Sequence, residues 1–156
     1  MANECQTNIL FESSDDGLKW LKEKFNEVLK LKGDDRFNSI SENFGDKGET
    51  NIDKLGCKWL DIDECEETDD GFTVKILSAA YPPNKMIIKI VSLLLENFDN
   101  HSRASGKYWD ENFNTIGIFE SNSYGYFEAE DSLDVDFDNE NYWEEEVEPA
   151  FDKLEL

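Results

Sequence analysis

Apolar positions change their spacing in an orderly way along the chain. Residues 5–12 alternate loosely between apolar and polar around Ile9, Leu10 and Phe11, the two-residue period of a β-strand. Ser13 and Ser14 followed by Asp15 and Asp16 then mark a helix start, where short polar side chains cap free N–H groups and acids meet the positive end of the helix dipole. Leu18, Leu21, Phe25, Val28 and Leu29 recur at i, i+3, i+4 spacing, predicting a helix that runs to about Lys32 and stops at Gly33. Trp20 and Leu31 project to its other side and are available to other elements or to a partner.

Residues 34–51 are polar, contain Gly45 and Gly48, and read as a long loop. Strands are expected at residues 57–65 and 72–80, separated by the turn-forming Asp69-Asp70-Gly71. Pro82-Pro83 closes the second strand and opens a helix from Asn84 to about Asn97. Its core stripe is Met86, Ile87, Ile90, Val91, Leu94 and Phe98. Further strands follow at residues 103–109, 115–120 and 124–128. The order β-α-β-β-α-β with extra C-terminal strands predicts an α+β, ferredoxin-like split βαβ sandwich: a mainly antiparallel sheet covered on one face by two helices.

Charge adds a division that periodicity does not show. The chain has 156 residues with 37 Asp+Glu against 15 Lys+Arg, a net charge of −22. Residues 1–119 hold 23 acids and 14 bases (14 − 23 = −9), whereas residues 120–156 hold 14 acids and only Lys153 (1 − 14 = −13). We therefore divide the chain into a domain over residues 1–130 and an acidic C-terminal segment over residues 131–156, expected to pack at least partly on the domain. Such a balance argues against direct binding to nucleic acid or an anionic membrane, because both interactions gain from neutralising phosphates. It favours basic protein surfaces or cations. The most apolar stretch, residues 86–95, carries Lys89 and falls short of the roughly 20 residues a membrane span needs. Met1-Ala2-Asn3-Glu4 lacks the basic, then apolar, pattern of a secretory signal, and Cys5, Cys57 and Cys65 form no CxxC pair; both features fit a cytoplasmic setting with reduced thiols.

Four motifs carry a resemblance. Asn3, Cys5 and Asn8 match an N-W-C-x-x-N start in which Glu4 stands for the Trp, and Leu55-Gly56-Cys57-Lys58-Trp59 is similar to W-G-x-K-W. Ser78-Ala79-Ala80-Tyr81-Pro82-Pro83 is similar to T-A-W-x-P-P, with Ala80 in place of the Trp, and Tyr108-Trp109-Asp110-Glu111 with Gly117 beyond resembles a fourth element. Over about residues 1–125 the chain thus resembles the YubB ferredoxin-like family of phage and plasmid proteins. The resemblance implies the fold and a mobile-element origin, and carries no activity with it.

Candidate chemistry is sparse. His101 is the only histidine and follows Asp99 and Asn100 near a helix end, where a solvated or capping role is the ordinary one. No G-x-S-x-G, Walker loop or G-x-G-x-x-G occurs. Cys57 beside Lys58 reads as a buried strand thiol rather than a nucleophile. Carboxylate pairs such as Asp61 with Asp63, or Asp110 with Glu111, are too abundant among 37 acids to diagnose a hydrolase. No catalytic residue, cofactor or enzymatic activity is expected. Asp134, Asp136, Asp138 and Glu145 occupy positions 1, 3, 5 and 12 of a calcium-loop template, but Asn139 replaces the glycine and Asn141 the apolar residue.

An extended stretch over residues 132–141 would place Asp134, Asp136, Asp138 and Glu140 in one row about 6.7 Å apart, comparable with the phosphates of a nucleic-acid strand. Leu133, Val135 and Phe137 would face the body, with Tyr142, Trp143, Val147, Phe151 and Leu154 anchoring the rest. With Asp131, Glu144, Glu145, Glu146 and Glu148, this row forms a candidate partner-binding surface. The expected function is noncatalytic inhibition of a host nucleic-acid-handling protein, such as a defence nuclease, CRISPR effector, restriction or transcription factor, by imitation of nucleic-acid charge. The alternatives are a structural or assembly adaptor docking through Trp20, Leu31 or Trp59, and a calcium-binding module. Without an ordered row, the segment is a solvated tail that aids solubility.

Overall fold

The computed structural model describes residues 4–156; Asn3 of the first motif lies outside the described residues. Six strands form one antiparallel sheet in the order β2-β3-β1-β4-β5-β6. They are β1 (Glu4–Glu12), β2 (Leu60–Thr68), β3 (Gly71–Ala79), β4 (Arg103–Asp110), β5 (Ile116–Asn122) and β6 (Gly125–Asp131). Five helices accompany them: α1 (Asp15–Leu29), α2 (Gly33–Phe44), α3 (Asn51–Leu55), α4 (Asn84–Asn97) and α5 (Glu148–Asp152), the last preceded by a π-helical turn, Trp143–Val147. The molecule is α+β, and no helix among the described residues is long and apolar enough to cross a membrane.

The two-residue period of β1 puts Cys5, Thr7, Ile9 and Phe11 on the face covered by helices. Ser14 caps α1, its side chain accepting from Gly17 N at 3.2 Å, and Leu21, Phe25 and Val28 are buried as their spacing requires. Trp20 does not remain an open contact surface: its ring lies 5.6 Å from that of Phe98, which leaves the α4 core stripe to meet it. α4 itself has the expected bounds, with Met86, Ile87, Ile90, Val91 and Leu94 inside.

Residues 34–51, read as a loop, instead contain α2 and lead into α3. α2 is polar except for Phe37, Ile40 and Phe44, yet Ile40 and Phe44 lie one turn apart and are fully buried, with Phe44 stacked on Phe25 at 4.7 Å. The same segment supplies Arg36, whose guanidinium donates to the Leu29 and Leu31 carbonyls at the end of α1 and to Asp61 of β2. α3 is only five residues long, so no period announces it. Its signals are a capping box, Thr50 with Asp53, and a left-handed stop at Gly56 with φ of 90°. β2 consequently starts at Leu60 rather than Cys57. A bulge falls between Ile62 and Glu64 and interrupts the alternation of β2.

The face of the sheet away from α1 and α4 carries a second apolar cluster. Phe113, Ile116, Val135, Val147 and Phe151 are its buried members, with Trp109, Ile118, Leu133, Tyr142, Trp143 and Leu154 packed around them. The chain beyond β6 thus turns back across β4 and β5, giving this end of the sheet a covering layer on both sides.

Candidate functional site

The acidic segment is built from the inside out by its apolar residues. Phe151 packs on Trp109 at 5.9 Å and beneath the Lys107 ammonium at 5.2 Å, while Trp143 meets Trp109 at 5.1 Å and Phe113 at 5.9 Å. With the apolar groups turned inward, Asp134, Asp136, Glu144, Glu145 and Glu148 are exposed. Asp131 ends β6, and its carboxylate accepts from Ser132 N at 2.8 Å. Glu146 is half-buried and accepts from Asp136 N at 3.1 Å; the Asn139 amide donates to Glu145 at 2.9 Å.

The single row of four carboxylates is not what forms. Alternation holds from Leu133 to Asp136, with Val135 buried, but the chain turns at Phe137 and Asp138, so Asp138 and Glu140 leave the row. Phe137 docks only in part: it is 53% exposed, with its ring tilted against the buried Phe113 and edge-on to Tyr142. The cause is local, since Asp136 and Asn139 accept from the backbone two residues ahead, closing side-chain turns that compete with an extended chain. The outcome is an exposed patch broken by a turn rather than a line. Nor does the loop gather its calcium-template residues: no group of three or more His, Cys, Asp or Glu placed to hold a metal ion occurs among the described residues.

What distinguishes the patch is its lack of counter-charge. Between Lys107 and Lys153 the sequence has 15 acids and no Lys or Arg. The ion pairs found among the described residues engage Glu12, Glu27, Asp61, Glu64, Glu67 and Glu120, and no carboxylate beyond Glu120.

A second group of carboxylates, which the sequence reading passed over, lies on the opposite face of β6. Tyr126, Glu128 and Glu130 pair with Ser121, Phe119 and Gly117 of β5 and so share the helical face. Tyr108 donates to Glu130 at 3.0 Å and to Glu128 at 3.4 Å, and Tyr126 donates to Glu128 at 3.2 Å. Burial, and after it the charge of Glu128, holds both phenols well above their usual range, so both remain donors. Tyr108 reaches across β5 because position 117 is glycine. A Cβ there would strike the Tyr108 ring and hydroxyl, and Phe119 stacks beside it at 6.5 Å. Gly117→Ala should therefore cost about 1–3 kcal/mol by overpacking. Denaturant melts of Gly117→Ala, Tyr108→Ala and the double variant check this: the alanine should cost little once the ring is gone, and equal costs on both backgrounds would disprove the contact.

Beside Tyr108, a cavity of about 100 Å³ is bounded by Cys5, Tyr81, Asp110 and Glu130. Asp110 is only 7% exposed and accepts from Thr115 N at 3.1 Å. Three of the four motifs meet at this end of the sheet: Cys5, Ala80, Tyr81, Pro82, Tyr108 and Asp110 all line the cavity, whereas the motif over residues 55–59 does not reach it. Ala80 takes a left-handed φ of 68°, and the adjoining turn is closed by Ser78 Oγ donating to the Tyr81 carbonyl at 2.5 Å. The thiols are poor nucleophiles. Burial pushes Cys5 up to about 11 and Cys57 to about 12, and Cys65 rises to about 11 from the same cause. His101 is exposed at the end of the α4–β4 connection, where its backbone N–H donates to Asp99. No family model matches the chain, nor does any curated protein or solved structure.

Proposed function

We propose that this protein is a noncatalytic inhibitor that occupies the basic groove of a nucleic-acid-handling protein, presenting carboxylates where that groove expects phosphates. The observation that carries this reading is the ordered, uncompensated acidic patch over residues 131–148: its apolar side chains are fixed on the sheet, and its carboxylates make no ion pair among the described residues. A disordered acidic tail loses conformational entropy on binding, whereas a docked one has already lost it, so the patch is pre-organised for a basic partner. Unpaired charge of one sign also accelerates encounter at low salt. Raised thiol pKa values and a solitary exposed histidine support the noncatalytic part. The strand order β2-β3-β1-β4 with α1 and α4 as crossovers supports a ferredoxin-like assignment for the first four strands, and with it the resemblance to the YubB family of phage and plasmid proteins. On that origin, the host targets are defence nucleases, CRISPR effectors, and restriction or transcription factors of the cytoplasm.

The test is competition. Purified basic host effectors are loaded with labelled DNA, and displacement by the protein is followed across a salt series. Displacement should weaken by an order of magnitude or more between about 50 and 200 mM salt, the behaviour of multi-phosphate contacts. Neutralising Asp134, Asp136, Asp138, Glu140, Glu144, Glu145 and Glu148 to the amides should abolish it. Displacement indifferent to both salt and neutralisation would refute the reading.

A further inference from the structure

The helical layer stops short of one edge of the sheet. Packed helices lie about 8–10 Å apart and strands about 4.8 Å apart, so each helix covers about two strands. The main sheet contacts of α1 are with β3 and those of α4 with β4 and β5, which leaves β6 at the rim. Between α4 and the β5–β6 hairpin runs a groove of about 310 Å³, walled by Ile88, Val91 and Leu95 on the helix, by Tyr124 in the hairpin turn and by Tyr126 on β6. Ile88 is 39% exposed and Tyr124 89%, large apolar groups on a strongly charged molecule. Farther along the same face stand Glu128 and Glu130, held by the Tyr108 and Tyr126 hydroxyls.

We propose that this strip docks a basic amphipathic α-helix of a protein partner, laid beside α4 as a further helix of the layer. The apolar groove takes the helix's apolar face. Glu128 and Glu130 take its cationic flank: the tyrosines engage only Oε2 of each carboxylate, and Oε1 of each is left for a partner's ammonium or guanidinium. Seven residues of β6 extend about 20 Å, the length of a helix of about 14 residues. An added strand would pair with the outer edge of β6 and leave the groove beside α4 empty, so a helix is the better fit. The strip and the acidic patch lie on opposite faces of the sheet, and the inference stands apart from nucleic-acid mimicry.

Two synthetic peptides of about 14 residues test it. One has leucines on a single helical face and arginines along its flank; the other has the same composition in scrambled order. Binding is read by fluorescence anisotropy at about 150 mM salt. The amphipathic peptide should bind about tenfold tighter than the scramble. The pair Ile88→Ser and Tyr124→Ser should remove that advantage, as should the pair Glu128→Gln and Glu130→Gln, with unchanged melting temperature in each. Neutralising Asp134, Asp136, Asp138 and Glu140 should leave it within about twofold, which separates this strip from charge attraction by the acidic patch. Equal binding of the two peptides, or loss of binding only on neutralising the patch, would overturn the proposal. So would a dimer in sedimentation that the Ile88 and Tyr124 pair dissolves, since the strip would then serve a second copy of the chain.

Discussion

Replacing Phe151 by alanine should release the acidic segment from the sheet while the rest of the fold persists. Truncation of a buried phenylalanine costs about 3–5 kcal/mol. Phe151 joins the segment to both Trp109 and Lys107 of β4, with Trp143 adding a second contact to Trp109. Against its apolar contacts stands the cost of ordering residues 132–156, about 1–2 kcal/mol for each backbone unit. The net docking free energy is therefore small, and losing Phe151 is comparable to all of it. The segment should undock before the domain unfolds, so the global melting temperature should move less than the truncation cost implies. Hydrogen exchange should show residues 132–156 losing protection while β1 and β4 keep theirs, and Trp109 fluorescence should shift to the red as its cover leaves. A single cooperative transition with uniform loss of protection would show instead that the segment is integral to the core. The variant also separates charge from order, because it retains all 37 acids but no longer fixes them. A partner that needs the pre-organised patch should bind it more weakly, and one attracted only by net charge should not discriminate.

Much of this architecture was legible because long elements declare themselves by period. α1 and α4 each bury three or more apolar residues along one stripe, and β1 alternates for nine residues. Elements that form through tertiary contacts rather than local pattern were hidden. α2 is helical because Ile40 and Phe44 meet Phe25 and the core, and because Arg36 closes the end of α1, neither of which a polar stretch advertises. The capping box and Gly56 around α3 were readable signals, obscured by the brevity of the helix.

The site divides the same way. Inward apolar and outward acidic positions around Val135 follow from alternation, but the turn after Asp136 depends on side-chain hydrogen bonds that the alternation argument omits. The significance of Glu128 and Glu130 lies in Tyr108, which reaches them from β4 over Gly117 of β5, a contact no local pattern shows. A glycine inside a strand was the available clue, since it marks a close approach by something else. Both acidic groups are built on β6, one on each of its faces. Its helical face offers Tyr126, Glu128 and Glu130, and its other face continues at Asp131 into the patch.

Raising the pH above 9 should unfold the protein over a narrow range, driven by groups the fold keeps neutral. Burial holds Cys5 at about 11 and Cys57 at about 12 against 9.0 for an ordinary thiol, and Tyr108 and Tyr126 are displaced in the same direction from 10.0. Each group binds its proton more tightly folded than unfolded. Above pH 9 the unfolded chain therefore carries fewer protons than the native one, and stability falls as pH rises. The contribution is fully present below pH 9 and is lost progressively toward pH 11–12, at about 1.4 kcal/mol per pH unit for each group. From pH 9 to 11 the two buried thiols alone remove about 4 kcal/mol, a large part of the stability of a small domain. New thiolates would also add to a net charge already at −22, which works in the same direction. Circular dichroism against pH should show a cooperative loss of structure between about pH 10 and 11, with thiolate absorbance rising in step with unfolding rather than before it. Replacing Cys5 and Cys57 by alanine should lower stability at pH 7 by opening cavities, yet flatten its decline above pH 9. Thiolates appearing near pH 9 in the still-folded protein, or an unchanged slope in the double variant, would show that burial of these thiols does not set the alkaline limit.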